Sequence, residues 1–113
     1  MMISKAMDVV EVPFPFSDIP HAKRRKALVL SSSAFNESNQ TTILMMLTSA
    51  DRSTWLLDTP IEHRDVAGLH KPCVARMKIF TLDNNLILRH SGHLHANDVQ
   101  NVKAALGQAL TMA

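Results

Sequence analysis

Cysteine, long apolar runs and charge are all scarce in this chain, and each shortage excludes a class of protein. The single cysteine, Cys73, cannot form an internal disulfide, which suits a reducing compartment. No stretch approaches the roughly 20 apolar residues of a membrane span, and residues 1–7 lack the apolar region of a signal peptide. Charged residues make up 19% of the chain, too few for a disordered polyion. We therefore expect a folded, cytoplasmic protein.

The length and the hydrophobic content predict one folded unit. With 113 residues, of which 46% are hydrophobic, the chain has room for one core, and we predict a single domain over residues 1–113. No repeat, linker or low-complexity tract interrupts it. The net charge is only +2, so a polyanionic partner would have to bind a local basic patch rather than respond to the overall field.

Short apolar segments rich in β-branched residues predict a mainly β fold. The clearest strand candidates are residues 8–12, 27–30 and 41–48, and the weaker ones are 55–59, 73–78 and 86–89. We expect the pairing of the first strand to end at Pro13, because proline has no N–H to donate. The run over 27–30 is continuously apolar, which indicates a strand buried on both faces.

The hydrophobic period changes near the C-terminus and predicts an amphipathic helix. Its apolar positions are 99, 102, 106, 109 and 110. His95 or Asn97 is the predicted N-cap, and Asp98 suits the positive end of the helix dipole. Gly107 weakens the helix by about 1 kcal/mol relative to alanine. Several short strands followed by one helix predict a small β-barrel with a helix packed on it.

The sharpest chemical signal is a run of four cations, Lys23 to Lys26, between a proline-rich loop and the second strand. We expect the run to lie where the loop re-enters the sheet, so that the scaffold aims the cations at an anion. A guanidinium keeps its charge at physiological pH and presents a planar set of donors to phosphate oxygens. Taken alone, such a run more often marks a solvated surface turn, so other features must support a binding site.

Segments spread over nearly the whole chain resemble, in order and spacing, the PemK/MazF toxins of type II toxin-antitoxin systems. These segments are 8–16, 23–30, 47–49, 67–69, 80–83 and 92–94. The resemblance implies an SH3-like β-barrel of the PemK/MazF/CcdB type with a C-terminal amphipathic helix. It also implies a homodimer that cleaves single-stranded mRNA without a metal ion or other cofactor, and a cognate antitoxin as partner.

The resemblance also implies a catalytic pair. In the family, an arginine at the start of strand two acts with a threonine or serine at the end of strand three, which correspond here to Arg25 and Thr48. The chemistry is coherent because RNA carries its own nucleophile, the 2′-hydroxyl, and the protein must activate it and stabilise the phosphorane. We expect further RNA contacts from Lys23, Arg24, Lys26, Phe16, Ser49 and Lys78.

Two residues depart from the family pattern. The family has Gly-Asp where this chain has Met7 and Asp8, which puts in question a tight turn that glycine permits. It has proline after the catalytic arginine, where this chain has Lys26, and lysine frees φ and adds a charge beside Arg25. These departures keep open a second possibility, a degenerate member retained as a binding module.

The histidines suggest a rival chemistry. His90, His93 and His95 have a spacing that sometimes binds zinc, but no second cluster supplies a fourth ligand, and we predict no metal site. His21 precedes the cations and is either a solvated loop residue or an accessory RNA contact or acid.

Aromatic residues and the cysteine complete the candidates. Phe16 and Trp55 are possible base-stacking residues near the cations, whereas we expect Phe14 to lie in the core. Cys73 is left out of the site, because nothing nearby in sequence lowers its pKa toward a reactive thiolate.

A different function is compatible with the same scaffold, namely a toxin that binds a protein target such as DNA gyrase and cuts no RNA. Aromatic and acidic residues at the C-terminus usually serve that mode, and residues 111–113 lack them. The nuclease is therefore the favoured function.

Overall fold

A computed structural model describes residues 2–14, 23–51 and 53–111 of the chain. The strands in these ranges are β1 (Asp8–Phe14), β2 (Lys23–Val29), β3 (Thr41–Ser49), β4 (Thr59–Pro60), β5 (Cys73–Asp83) and β6 (Arg89–His93). The helices are α1 (Ser33–Asn39), α2 (Arg64–Ala67) and α3 (Ala96–Ala109), with a 3-10 turn at Asn84–Leu86. No helix in these ranges is long and apolar enough to cross a membrane.

The described strands form one curled antiparallel sheet with the order β4-β5-β3-β2-β1-β6. β2 therefore lies at the centre, between β1 and β3, and the C-terminal helix α3 follows the edge strand β6. This arrangement confirms the predicted mainly β fold closed by a C-terminal helix. β3 and α3, the two elements with the densest apolar periodicity, lie where the sequence predicts them.

The prediction that pairing ends at Pro13 is wrong. β1 continues to Phe14 and pairs with β2 over its whole length, with Pro13 opposite Arg24 and Phe14 opposite Lys23. On its other side, β1 pairs with β6 only as far as Glu11. Among the described residues, Pro13 thus has a strand neighbour on one side only, which is the edge position where a missing N–H is tolerated.

The weaker strand predictions are corrected in length. The strand expected over 55–59 is reduced to β4, because the residues before it form a turn in which the Asp58 N–H donates to the Trp55 carbonyl at 3.2 Å. β5 extends five residues beyond the predicted end at Lys78, to Asp83. The strand expected over 86–89 starts only at Arg89, after the 3-10 turn.

Apolar residues bury both faces of the sheet. Alternation along β1 sends Val9 to one face and Val10 to the other, because successive side chains of a strand point to opposite sides. The first face includes Leu28, Met45 and Leu47, which share one apolar cluster with Leu94 and with Val102 of α3. The second face includes Val12, Ala27, Val29, Leu44, Leu82 and Ile87. The apolar end of β2 is therefore buried on both faces, as predicted.

Helix α3 is joined to the rest of the molecule at its first turn. His95 is the N-cap, and its Nδ1 accepts a hydrogen bond from the Asn97 N–H at 3.1 Å. Asp98 lies in the first turn as predicted, but it is fully buried rather than solvated. Its carboxylate accepts the backbone N–H groups of Glu62 and His63, both at 2.9 Å, so it fastens α3 to the segment before α2.

Candidate active site

All four cations lie on β2, so the strand begins at Lys23 rather than at the predicted residue 27, and the predicted junction with the loop moves to the start of the cation run. Backbone pairing with β1 extends β2 back to Lys23, and this ladder forms whether or not the side chains are apolar. Strand alternation then separates neighbouring side chains to opposite faces. Arg25 consequently points away from the side occupied by Arg24 and Lys26.

Arg24 and Lys26 lie on the side of Glu11. The Lys26 Nζ lies 3.4 Å from a Glu11 carboxylate oxygen and donates a hydrogen bond to Ser91 Oγ at 2.7 Å. Arg24 Nη1 is 3.7 Å from the same carboxylate, and Arg89 Nε is 3.2 Å from it. The Glu11 side chain is only 13% exposed, so three cations share one nearly buried carboxylate.

Arg25 is exposed and points toward the other side, where its guanidinium carbon lies 6.0 Å from the centre of the Phe14 ring. The ladder between β2 and β3 ends at the Ala27–Met46 pair. Continuing the same register by two residues brings Arg25 opposite Thr48. The predicted catalytic residues therefore lie on adjacent strands, beyond the end of the ladder that joins them.

A cleft of about 440 Å³ lies at this end of the ladder. It brings together six of the eight predicted site residues: Arg24, Arg25, Lys26, Thr48, Ser49 and Lys78. Lys23 is exposed and does not line the cleft, and Phe16 lies outside the described residues. The cleft thus combines several cations with two hydroxyls, the composition of a phosphate-binding site.

The remaining cleft residues were not predicted; they are Phe14, Met46, Leu47, Lys71, Cys73 and Arg76. The expectation that Phe14 is a core residue is wrong, since Phe14 is 45% exposed. Strand alternation places Phe14 on the same face as Val10 and Val12, which favours a core position. Its partner across the ladder is the exposed Lys23, and this pairing was the available signal that Phe14 is exposed.

A comparison with protein-family models identifies the family of the chain. The model of the PemK-like, MazF-like toxins of type II toxin-antitoxin systems matches residues 5–110. The chain belongs to this family. This match confirms the predicted resemblance to the PemK/MazF toxins over almost the entire chain.

Solved structures share the fold of this PemK/MazF family member. A MazE-MazF structure (Form-III) from Deinococcus radiodurans is 21% identical with a TM-score of 0.78, and the match covers 99% of this chain and 100% of that one. An endoribonuclease in complex with its cognate antitoxin from Mycobacterial species is 16% identical, with a TM-score of 0.73 and full coverage of both chains. The Mycobacterium tuberculosis toxin MazF-mt6 is 19% identical, with a TM-score of 0.72 and coverage of 90% and 94%. No curated protein matches the chain.

The first departure from the PemK/MazF pattern is accommodated by the backbone. Met7 adopts a φ of 72°, the left-handed conformation that glycine adopts without cost. Its N–H donates to the Val29 carbonyl at 2.7 Å, and its own carbonyl accepts the Leu94 N–H at 3.0 Å. The side chain also packs against the core face that contains Val9. A residue with a Cβ therefore forms this left-handed turn, and two backbone hydrogen bonds and core packing hold it in place.

The second departure, Lys26 in place of the family's proline, is explained by its partners. Glu11 lies on β1 and Ser91 on β6, so the Lys26 ammonium bridges from β2 to two other strands. This tie restrains β2 directly beside Arg25. Lys26 lines the cleft, but its charge is already engaged on the Glu11 side.

Arg76 forms the most tightly bonded charge in the cleft wall. Only 4% of the residue is exposed, and its guanidinium donates to both carboxylate oxygens of Asp58, at 3.1 and 2.8 Å. It also donates to the Ser53 hydroxyl at 3.1 Å and the Ser53 carbonyl at 2.7 Å. The hydrogen bonds from Arg76 lower the pKa of Asp58, and those to Asp58 raise the pKa of Arg76. Both groups therefore stay charged at neutral pH.

Cys73 lies in the cleft wall without the properties of a nucleophile. Its thiol is buried and donates to the Lys71 carbonyl at 3.3 Å. Burial raises the pKa of the thiol, although the charge of Lys71 opposes the shift. A raised pKa disfavours the reactive thiolate at neutral pH.

The histidine cluster is divided among separate contacts. His95 caps α3 and stacks on His63 with ring centres 3.8 Å apart, while His90 Nε2 lies 3.5 Å from Asp8. Within the described ranges, no group of three or more histidine, cysteine or acidic side chains is arranged to hold a metal ion. His21 lies outside the described residues.

Proposed function

We propose that this chain is the toxin of a type II toxin-antitoxin pair and acts as a metal-independent endoribonuclease on single-stranded mRNA. The observation that supports this most directly is the convergence of Arg25 and Thr48 in one cationic cleft between β2 and β3. Family membership supports the toxin class. The solved relative described as an endoribonuclease with its cognate antitoxin supports both the reaction and the partner.

The proposed reaction transfers the phosphodiester to the neighbouring 2′-hydroxyl. The 2′-oxygen attacks phosphorus, its proton leaves to a base, and the bond to the 5′-oxygen breaks as that oxygen gains a proton. The products are a 2′,3′-cyclic phosphate and a 5′-hydroxyl. Negative charge builds on the phosphorane oxygens, where Arg25 supplies charge and N–H donors and Thr48 supplies a hydroxyl hydrogen bond.

The cleft suggests that electrostatic stabilisation dominates over acid-base catalysis. Among the described residues that line it, the polar groups are cations, hydroxyls and a thiol with a raised pKa, and none is a carboxylate or an imidazole. Preorganised donors near developing charge are usually the largest single contribution to catalysis. The role of His21 as an accessory acid or contact stays a prediction.

The remaining features of the proposal follow from the family. We infer a homodimer, a cognate antitoxin as protein partner, one domain over residues 1–113, and a cytoplasmic site of action where mRNA is available. The same proposal includes the predicted RNA contacts, which are Lys23, Arg24, Lys26, Phe16, Ser49 and Lys78.

The test is cleavage of a labelled single-stranded RNA by purified protein in EDTA. We expect the wild-type protein to cut the RNA but not the same oligonucleotide with 2′-deoxyribose at every position, because the nucleophile is then missing. Arg25→Ala should lower the cleavage rate by at least 100-fold, as expected for loss of a main stabilising group. Lys103→Ala removes one positive charge from an exposed α3 residue outside the cleft and should cut at the wild-type rate.

Three outcomes would contradict the proposal. Arg25→Ala protein that cuts RNA as fast as the wild type would remove Arg25 from catalysis. Wild-type protein that arrests growth while cellular RNA stays intact would instead indicate a toxin that binds a protein target, such as DNA gyrase. Protein that neither cuts RNA nor arrests growth would identify a degenerate binding module.

A further inference from the structure

Trp55 lies beside the cationic cleft and keeps much of its surface exposed. Its ring centre is 5.1 Å from the guanidinium carbon of Arg76 and 5.1 Å from the Lys78 ammonium. Both cations line the cleft, so the indole borders the cleft wall. Trp55 is nevertheless 41% exposed, a large apolar area for a ring that touches two cations.

The backbone around Trp55 is held by one buried ion pair. The Trp55 N–H donates to Asp58 Oδ2 at 2.9 Å, and Asp58 is bonded through both oxygens to Arg76. Arg76 also bonds Ser53 on the other side of Trp55 in sequence. Residues on both sides of the ring are therefore fastened to the same guanidinium. These hydrogen bonds fix the backbone on both sides of Trp55 in sequence. They therefore position a side chain that burial alone restrains only in part.

We propose that Trp55 is a base-stacking surface for an unpaired base of the RNA whose phosphates occupy the cleft, an inference that rests on the proposed endoribonuclease function. Proteins that bind single strands combine a basic groove for the backbone with aromatic rings on which bases stack. Here the groove contains Arg25 and Lys78, and the ring lies against the Lys78 end. The adjacent cations attract the phosphate, and their cation–π contacts hold the ring beside the groove.

The surroundings favour RNA over a protein segment as the occupant. An apolar peptide would gain from the neighbouring Leu56, which is 88% exposed, but would have no use for the cations. A nucleotide uses both, since its base is aromatic and its phosphate is anionic. The charge of the cleft therefore selects the nucleotide, with Leu56 as a bystander.

The chain offers a direct probe, because Trp55 is its only tryptophan and intrinsic fluorescence reports on this ring alone. The ligand is a 2′-O-methyl single-stranded RNA, which binds without being cut, compared with an abasic version of the same length and charge. We expect quenching by the first and little quenching by the second. Equal quenching by both would overturn the inference, because it would place a phosphate rather than a base near the ring.

Cleavage kinetics supply an independent measurement. Trp55→Ala should raise KM roughly 5- to 150-fold, the range for loss of one stacked base, with little change in kcat. Trp55→Phe retains a ring and should recover most of the affinity. Leu56→Ala, the matched neighbour, should behave like the wild type.

The two proposals fail in different ways. If Trp55→Ala cuts RNA with the wild-type KM while remaining folded by circular dichroism, stacking is wrong and the nuclease stands. That result would reassign the exposed ring to contact with a protein partner. If the wild-type protein cuts no RNA at all, the proposed function fails, and the stacking inference fails with it.

Discussion

The two sides of the first half of β2 carry the same kind of residue in opposite circumstances. On one side, Arg24 and Lys26 lie near the carboxylate of Glu11. On the other, Arg25 is exposed toward the cleft, with the Phe14 ring at 6.0 Å. Four consecutive cations in sequence are therefore not four equal anion ligands. All of Arg24, Arg25 and Lys26 line the cleft with Thr48, but strand alternation directs Arg24 and Lys26 toward Glu11 and Arg25 away from it.

The largest effect is expected from Thr48→Val, which tests the cleft side of the comparison between the two sides of β2. Valine keeps the branched shape of threonine on β3 but removes the hydroxyl that we assign to the phosphate. We expect single-turnover cleavage to slow by roughly 10- to 100-fold, the range for a hydrogen bond to a charged group. Thr41→Val, at the other end of the same strand and outside the cleft, serves as the control. Equal rates for the two variants would remove Thr48 from the reaction.

The next largest effect is expected for the ion pair in the cleft wall. Because hydrogen bonds from Arg76 lower the pKa of Asp58 in the folded state, Asp58 contributes stability that is present above its unfolded pKa of about 3.9. This contribution is lost as the pH falls through the lower, folded-state pKa. Asp58→Asn should therefore lower the Tm at pH 7 by about 5–10 °C.

The sign of that pH dependence is the discriminating result. The difference in free energy of unfolding between wild type and Asp58→Asn should be constant from pH 7 to about 5 and should shrink below about pH 4. Urea unfolding at pH 7 and pH 3 measures it. A difference that grows on acidification would show that the Asp58 carboxylate is not stabilised by Arg76.

On the opposite side of β2, Glu11→Gln should release the cations that the carboxylate now holds. Affinity for a 2′-O-methyl single-stranded RNA should rise a few-fold, and its salt dependence should steepen by about 0.7 in log-log slope for each cation that gains a phosphate. Glu62→Gln, an exposed glutamate outside the cluster, makes the same change in net charge. If both variants bind RNA alike, Glu11 withholds no charge from the cleft.

Sequence reasoning succeeded where a dense apolar period determined the structure. β3 and α3 were predicted because burial on one or both faces leaves a repeating pattern of residue types. The start of β2 was missed because its ladder is made by backbone groups, while its side chains are exposed cations with no apolar alternation. A periodic pattern of apolar side chains indicates burial. An exposed strand end has no such pattern, so the sequence does not reveal it.

The candidate site divides in the same way. Arg25 and Thr48 were predicted from the family pattern, and the pairing of β2 with β3 explains why both line the same cleft. Arg76 was missed because its partner Asp58 lies 18 residues away, in a turn that was expected to be a strand. The bridging role of Lys26 likewise depends on Ser91, 65 residues away and adjacent only in the folded sheet. Contacts between distant segments have no local signature in one sequence.

The smallest expected effect is a change in stability alone, made at a residue on neither side of β2. Gly107 lies in α3, remote from the cleft, and a Cβ built there would contact nothing within 4 Å. Gly107→Ala should therefore raise the free energy of unfolding by about 0.5–1 kcal/mol in urea, because alanine loses less backbone entropy in a helix. Gly68→Ala is the matched opposite, since its φ is 70° and its Cβ would lie 2.4 Å from the Ser91 carbonyl oxygen, and it should destabilise. Glu11→Gln also removes the ion pairs of one carboxylate and should lower the free energy of unfolding. Adding Gly107→Ala should offset that loss and leave the gain in RNA affinity intact. If the added alanine abolishes the gain, loosened structure rather than released charge had caused it.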